Sequence, residues 1–130
     1  MRGRRDIAGL SSHGYPGASM FDPDPRLLYK VCSAPEWGEA VATGTFRGSG
    51  VDLRDGFIHF STGAQLAETV RLHFAGRADL VVVEVHPADL GDELRWEPSR
   101  GGESFPHLYG VLPVSLARRV AMGVTPGRTA

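Results

Sequence analysis

The sequence predicts an α+β fold: a curved or split β-sheet with two helices placed early in the chain. Three observations carry that expectation. Strand-like runs outnumber helical ones, both helical patterns open on a capping signature before Gly76, and the most apolar run, Leu80–Val85, is short and rich in valine. A chain of 130 residues suits one domain with a real core. That domain is expected over residues 26–123, between an N-terminal tail at 1–25, disordered or extended, and a short C-terminal tail at 124–130.

Residues 1–25 are dominated by Gly, Ser, Pro and Asp and show no apolar period. Met20 stands as an alternative start to Met1, because patterned sequence begins only at Leu27. His13 and Tyr15 are tail residues without a role, and the arginines at positions 2, 4 and 5 read as a solvated terminus.

Leu27–Cys32, with aromatic and β-branched members, predicts the first strand. Ser33 precedes Glu36 by three residues, the spacing at which a hydroxyl and a carboxylate satisfy the first free N–H groups of a helix. That helix should bury Trp37, Ala40 and Val41 and stop at Gly44. Thr45–Asp55 reads as a polar, glycine-rich loop long enough to reach over a site. Phe57–Phe60 is the next strand, and Thr62 with Gln65 repeats the capping signature. The second helix then runs to about Phe74, carries Leu66, Ala67, Val70 and Phe74 at helical spacing, and ends by Gly76. Leu80–Val85 reads as a central strand and Pro87–Leu90 as a turn. Leu94–Glu97 is a short strand, Pro98–Ser104 a loop, and His107–Leu112 and Arg118–Met122 are the last extended pieces.

Composition removes several function classes. A net charge of −1 gives no global case for nucleic acid or an acidic membrane. Cys32 is the only cysteine, so an internal disulfide and thiolate-rich zinc sites are excluded. No apolar run approaches the roughly 20 residues of a membrane span. The basic start lacks the apolar stretch of a signal peptide, and a cytoplasmic location is the expectation.

Two segments concentrate the chemistry, Gly56–Thr62 and Phe105–Gly110. Each sets an imidazole among aromatic and apolar neighbours, with hydroxyls nearby. Alternation puts Phe57, His59 and Ser61 on one face of their strand, and His107 with Tyr109 on one face of theirs. His59 fits either a core histidine satisfied by backbone or Ser61, or a ligand group beside a helix start. His107 and Tyr109 fit either core packing or the grip on a sugar hydroxyl or a base. Glu97 fits a general base, a ribose ligand or a surface partner of an arginine, and Glu84 a buried acid or an edge salt bridge. Lys30 alternates with Leu28 and Cys32, so its ammonium enters the interior and suits phosphate or carboxylate. His73 and His86 read as structural. No metal-ligand spacing is present, and neither Ser61 nor Cys32 sits in a nucleophile elbow.

Leu28-Tyr29-Lys30-Val31, Glu36-Trp37, Asp55 to Thr62, Asp79-Leu80-Val81, Leu94 to Glu97 and Phe105 to Gly110 resemble, in order, the successive blocks of domain-of-unknown-function family 952. The family is bacterial and largely without assigned biochemistry. By remote similarity it is grouped with the ADP-ribosyltransferase-like superfamily, whose members bind NAD in a cleft of a split β-sheet. The resemblance implies a site built on Lys30, where family members often carry histidine, on His59 with Ser61, and on Glu97 or His107. Catalytic roles would then fall to His59, His107 and Glu97, and substrate binding to Lys30, Ser61, Thr62 and Tyr109, with no metal and no resident cofactor. In an enzyme acting on NAD or another ADP-ribose-bearing substrate, Lys30 and the start of the second helix would orient phosphates. His59 and His107 would hold ribose hydroxyls, Tyr109 would flank a base, and Glu97 would stabilise charge at the anomeric carbon. A non-catalytic small-ligand module using the same pocket, and a structural domain whose histidines satisfy core hydrogen bonds, are the alternatives.

Overall fold

The computed structural model describes residues 21–122. The expectations for the outer parts of both tails, Met20, His13 and Tyr15 included, lie outside the described residues. The elements run β1 (Leu28–Ser33), α1 (Ala34–Thr43), β2 (Thr45–Phe46), α2 (Gly50–Asp55), β3 (Ile58–His59), β4 (Ser61–Thr62), α3 (Gly63–His73) and β5 (Leu80–Val85). They continue with β6 (Leu94–Pro98), β7 (Ser104–Leu108), β8 (Leu112–Pro113) and β9 (Ala117–Met122), with short 3₁₀ turns at Pro87–Glu93, Arg100–Gly102 and Val114–Leu116.

The protein is a mixed α+β structure of antiparallel sheets. β9-β5-β1-β4 form a four-stranded sheet, β3-β7-β6 a three-stranded one, and β2 pairs with β8. β5 lies between β9 and β1, which explains its continuous apolar run. Val81, Val83 and Val85 enter a core with Trp37, Phe46, Ile58 and Phe60, while Leu80 and Val82 face Leu66 and Val70 of α3. Both faces of the sheet are therefore covered.

One segment joins the two larger sheets. Ile58 and His59 pair with Leu108 and His107 of β7, and then Ser61 and Thr62 pair with Tyr29 and Leu28 of β1. The transfer has a local cause at Pro106. The Phe60 N–H donates to the Pro106 carbonyl at 3.0 Å, but proline has no N–H to return, so the ladder ends there and the strand changes sheets.

Both capping expectations hold. Ser33 and Glu36 exchange bonds at the start of α1, as Thr62 and Gln65 do at the start of α3, and Gly44 closes α1 in the left-handed region at φ 89°. Other boundaries differ from expectation. Thr45–Asp55 is not a loop: it contains β2 and the short helix α2, so the described residues hold three α-helices. Val41 faces solvent at 55% exposure because Trp37 and Ala40 already fill the inner face of α1, and Ala67 is likewise outward. The strand read as beginning at His107 begins at Ser104 and passes through Pro106.

Candidate functional site

β3 is positioned by the burial of Ile58 and Phe60, 1% and 2% exposed, on either side of His59. His59 and His107 are register partners across β3 and β7, so two imidazoles distant in sequence meet with ring centroids 5.3 Å apart, edge to face. Phe57 packs against both. It stacks on His107 at 4.1 Å and 27°, and lies 4.5 Å from His59 and 5.1 Å from Tyr109.

The groups behind His59 come from α2. Asp52 is buried, and its Oδ1 lies 2.6 Å from His59 Nδ1 and accepts the His59 backbone N–H at 3.1 Å. Its Oδ2 meets the Lys30 ammonium at 2.7 Å and accepts from the Ser49 backbone N–H and hydroxyl at 2.9 and 3.1 Å. Burial alone would push the Asp52 carboxyl up. The His59 bond, the Lys30 charge and the Ser49 N–H outweigh it and hold the group well below the usual carboxylate range. His59 Nε2 faces Asp55 Oδ2 at 3.0 Å, so both ring nitrogens abut carboxylates, an arrangement complete only when each carries a proton. His59 thus ties α2 to β3.

His107 is arranged differently. Its ring is 5% exposed and its Nδ1 lies 2.7 Å from Glu97 Oε1, which also accepts the Tyr109 hydroxyl at 2.8 Å. The His107 bond first, and the Tyr109 bond second, hold Glu97 below its ordinary range; the same carboxylate pushes the Tyr109 phenol up. The Arg95 guanidinium sits 5.1 Å from the centre of the Tyr109 ring. With Nδ1–H donated to Glu97, Nε2 is left as the ring's acceptor and has no hydrogen-bond partner among the described residues.

These groups border a cleft of about 540 Å³, within the size range of small-molecule sites. Lys30, His59, Ser61, Thr69, His73 and His107 contribute its polar lining. Val31, Val51, Phe60, Phe74 and Phe105 supply apolar wall, and no carboxylate is among the lining residues. Of the residues singled out from sequence, Lys30, His59, Ser61 and His107 share this cleft. Glu97 and Tyr109 stand behind His107, and Thr62 is occupied in capping α3, its hydroxyl accepting the Gln65 N–H at 3.2 Å. Ser61 and Thr69 hydroxyls lie 2.8 Å apart. Asp52, Phe57 and Thr69 were not legible as site residues, and His73, read as structural, lines the cleft. The Ser49–Asp52 spacing, the same three-residue interval as the two caps, was the available signal for Asp52. Among the described residues, no group of three or more His, Cys, Asp or Glu side chains is placed to hold a metal ion, and no helix is long and apolar enough to cross a membrane.

Fold and site together define a small antiparallel α+β protein with a histidine-lined cleft at the join of two sheets. The chain belongs to the family described as protein of unknown function DUF952, whose model matches residues 31–120. The crystal structure of protein CC0527 from Caulobacter crescentus is similar, with 51% identity over 73% of this chain and 84% of that one, at a TM-score of 0.71. The solution structure of the same protein gives 52% identity over 72% and 81%, at a TM-score of 0.65. No curated protein matches the chain.

Proposed function

We propose that the protein is an enzyme acting on a small ligand in this cleft, with His107 moving the proton and Glu97 positioning His107. The observation that carries this reading is the 2.7 Å contact between His107 Nδ1 and Glu97, which leaves Nε2 of a buried cleft-lining ring without a partner among the described residues. NAD or another ADP-ribose-bearing nucleotide is the substrate class this reading names. Its support is what the family resemblance of the sequence implies, together with an aromatic and apolar wall beside hydroxyls and imidazoles.

In that reaction the bond from the anomeric carbon to nicotinamide breaks, its electron pair leaves on nicotinamide, and an acceptor hydroxyl attacks while His107 takes its proton. Glu97 does not line the cleft, so it acts through His107 and not at the anomeric carbon. Tyr109 steadies Glu97, and Lys30, already matched by Asp52, brings little net charge. The test is nicotinamide release from NAD. Wild type should release it, His107→Ala should lose at least about tenfold, and Glu97→Gln should both slow release and move its pH profile. Release that is absent in wild type, or unchanged in His107→Ala, sinks the reading. Nucleotide-dependent stabilisation without turnover would assign the cleft to binding alone, an outcome in keeping with the commitment of both His59 nitrogens to α2.

A further inference from the structure

We infer that the protein forms a two-fold dimer through the free edge of β6, in which Trp96 meets Trp96 of the partner subunit and Arg95 meets Glu97 of the partner subunit. This goes beyond the reading of the cleft and does not depend on it.

The direction of the edge follows from its hydrogen bonds. Main-chain groups alternate in direction along an antiparallel strand, so a bond at one residue fixes the direction at the next. At one end of the β6–β7 ladder the Tyr109 N–H donates to the Glu93 carbonyl at 2.8 Å, and at the other the Ser99 N–H donates to the Glu103 carbonyl at 2.9 Å. Both bonds continue the register that sets Arg95 opposite His107 and Glu97 opposite Phe105. Odd-numbered residues of β6 therefore turn their main-chain groups to β7, and Trp96 turns its N–H and carbonyl away. Pro106, opposite Trp96, agrees: its carbonyl is bonded to Phe60 on the far side of β7. β6 is the outer strand of its sheet and Trp96 is 49% exposed, so these two groups have no partner among the described residues.

Other strand edges are blunted. β9 carries a bulge between Arg119 and Ala121, beside the adjacent arginines 118 and 119. At β3, the His59 N–H is taken by Asp52 and its carbonyl by Lys30. β6 runs in unbroken register from Leu94, and Pro98 limits any pairing to its five residues.

The sequence of β6 complements itself. Antiparallel pairing about a two-fold axis at Trp96 sets Leu94 opposite the partner's Pro98, Arg95 opposite the partner's Glu97, and Trp96 opposite the partner's Trp96. The two tryptophans then exchange both main-chain bonds, and their indoles share one face of the joined sheet. On the other face each guanidinium stands directly across from a carboxylate, the favourable cross-strand arrangement. Glu97 has the capacity, because Oε1 serves His107 and Tyr109 while Oε2 has no hydrogen-bond partner among the described residues. The contact is isologous and closes on itself, giving a dimer and not a fibre. Five residues a side make a small interface, so the Kd should be roughly 10–100 μM.

The test is sedimentation equilibrium of the full chain from about 5 μM to about 1 mM, a range that brackets this Kd. Wild type should move from the mass of one chain toward that of two. Trp96→Pro removes an N–H that faces solvent in the single chain, a place where edge strands accept proline, and should stay monomeric. Arg95→Glu and Glu97→Arg each set like charges across the axis and should be monomeric alone. Their mixture restores both Arg–Glu pairs and should dimerise as wild type does. Where Glu97→Arg does not fold, Trp96→Pro and Arg95→Glu decide. Wild type that stays monomeric throughout, a dimer that survives Trp96→Pro and Arg95→Glu, or folded charge variants that fail to associate when mixed would overturn the inference.

Discussion

At the scale of single residues, Asp52 decides more than either histidine. It joins β1, β3 and the segment before α2 through Lys30, His59 and Ser49, at 2% exposure. Asp52→Ala would leave the Lys30 ammonium buried without its counter-ion, and should cost about 3–5 kcal/mol in urea unfolding. The group also sets an acid limit. Its carboxyl is held below the ordinary value of 3.8, so the folded state binds the proton more weakly than the unfolded state. The stability that Asp52 contributes is thus complete above that ordinary value and drains as pH falls through it toward the lower folded value. Urea melts taken from about pH 4.5 down to about pH 2.5 should show a shallower loss in Asp52→Asn than in wild type. Asp24, Asp55, Asp79 and Glu97 are also held low and keep some slope in both proteins, so identical slopes would rule out this role. Sequence hid Asp52 because a single aspartate among Gly, Ser and Arg reads as solvated loop; nothing local to it shows that Lys30 and His59 arrive from other strands.

At the scale of elements, the helix starts were legible because a cap is local chemistry. Ser33 with Glu36 and Thr62 with Gln65 satisfy N–H groups three residues away, and no tertiary information is needed to see it. The short helix α2 escaped because six residues cannot display an apolar period, and its stability comes from the partners of Asp52. Two glycines separate local from tertiary effects in one experiment. Gly38 lies exposed within α1 and a Cβ there would meet nothing within 4 Å, so Gly38→Ala should stabilise by about 0.5–1 kcal/mol through helix propensity. Gly63 opens α3 directly against the Asp24 carbonyl, and its added methyl would also stand 2.9 Å from the Pro25 nitrogen. Backbone cannot move aside as a side-chain tip can, so Gly63→Ala should destabilise by about 1–3 kcal/mol despite the better propensity of alanine. Thermal unfolding of both variants checks the pair; equal shifts of the same sign would refute the packing argument.

At the scale of the molecule, the α+β class and the order of strands could be read from apolar runs, whereas the division into sheets could not. That division turns on Pro106, whose ring reads in the sequence as fixing the backbone on entry to a strand that starts at His107. The structure keeps Pro106 inside β7 and uses the missing donor to end one ladder, releasing Ser61 and Thr62 to β1. The cleft opens where this transfer happens, so the site is a product of pairing between distant segments and could be anticipated only as two histidines in search of a meeting point. The four-stranded sheet also carries its own reporter. Cys32 is 1% exposed on β1, packed in the larger core, and burial pushes its thiol up to about 12 against the smaller opposing effect of Lys30. Thiolate is the reactive form, so the folded protein should be nearly inert to a disulfide reagent near neutral pH. Labelling should then proceed only through opening of β1 away from β5 and β4, and its rate should rise steeply with urea along the global unfolding transition. A ligand held by the native cleft should slow it further, by the same factor with which it lowers the unfolding equilibrium constant. Labelling of the folded protein at the speed of an unfolded control would mean that the central sheet opens locally, and that the core described here does not hold Cys32 shut.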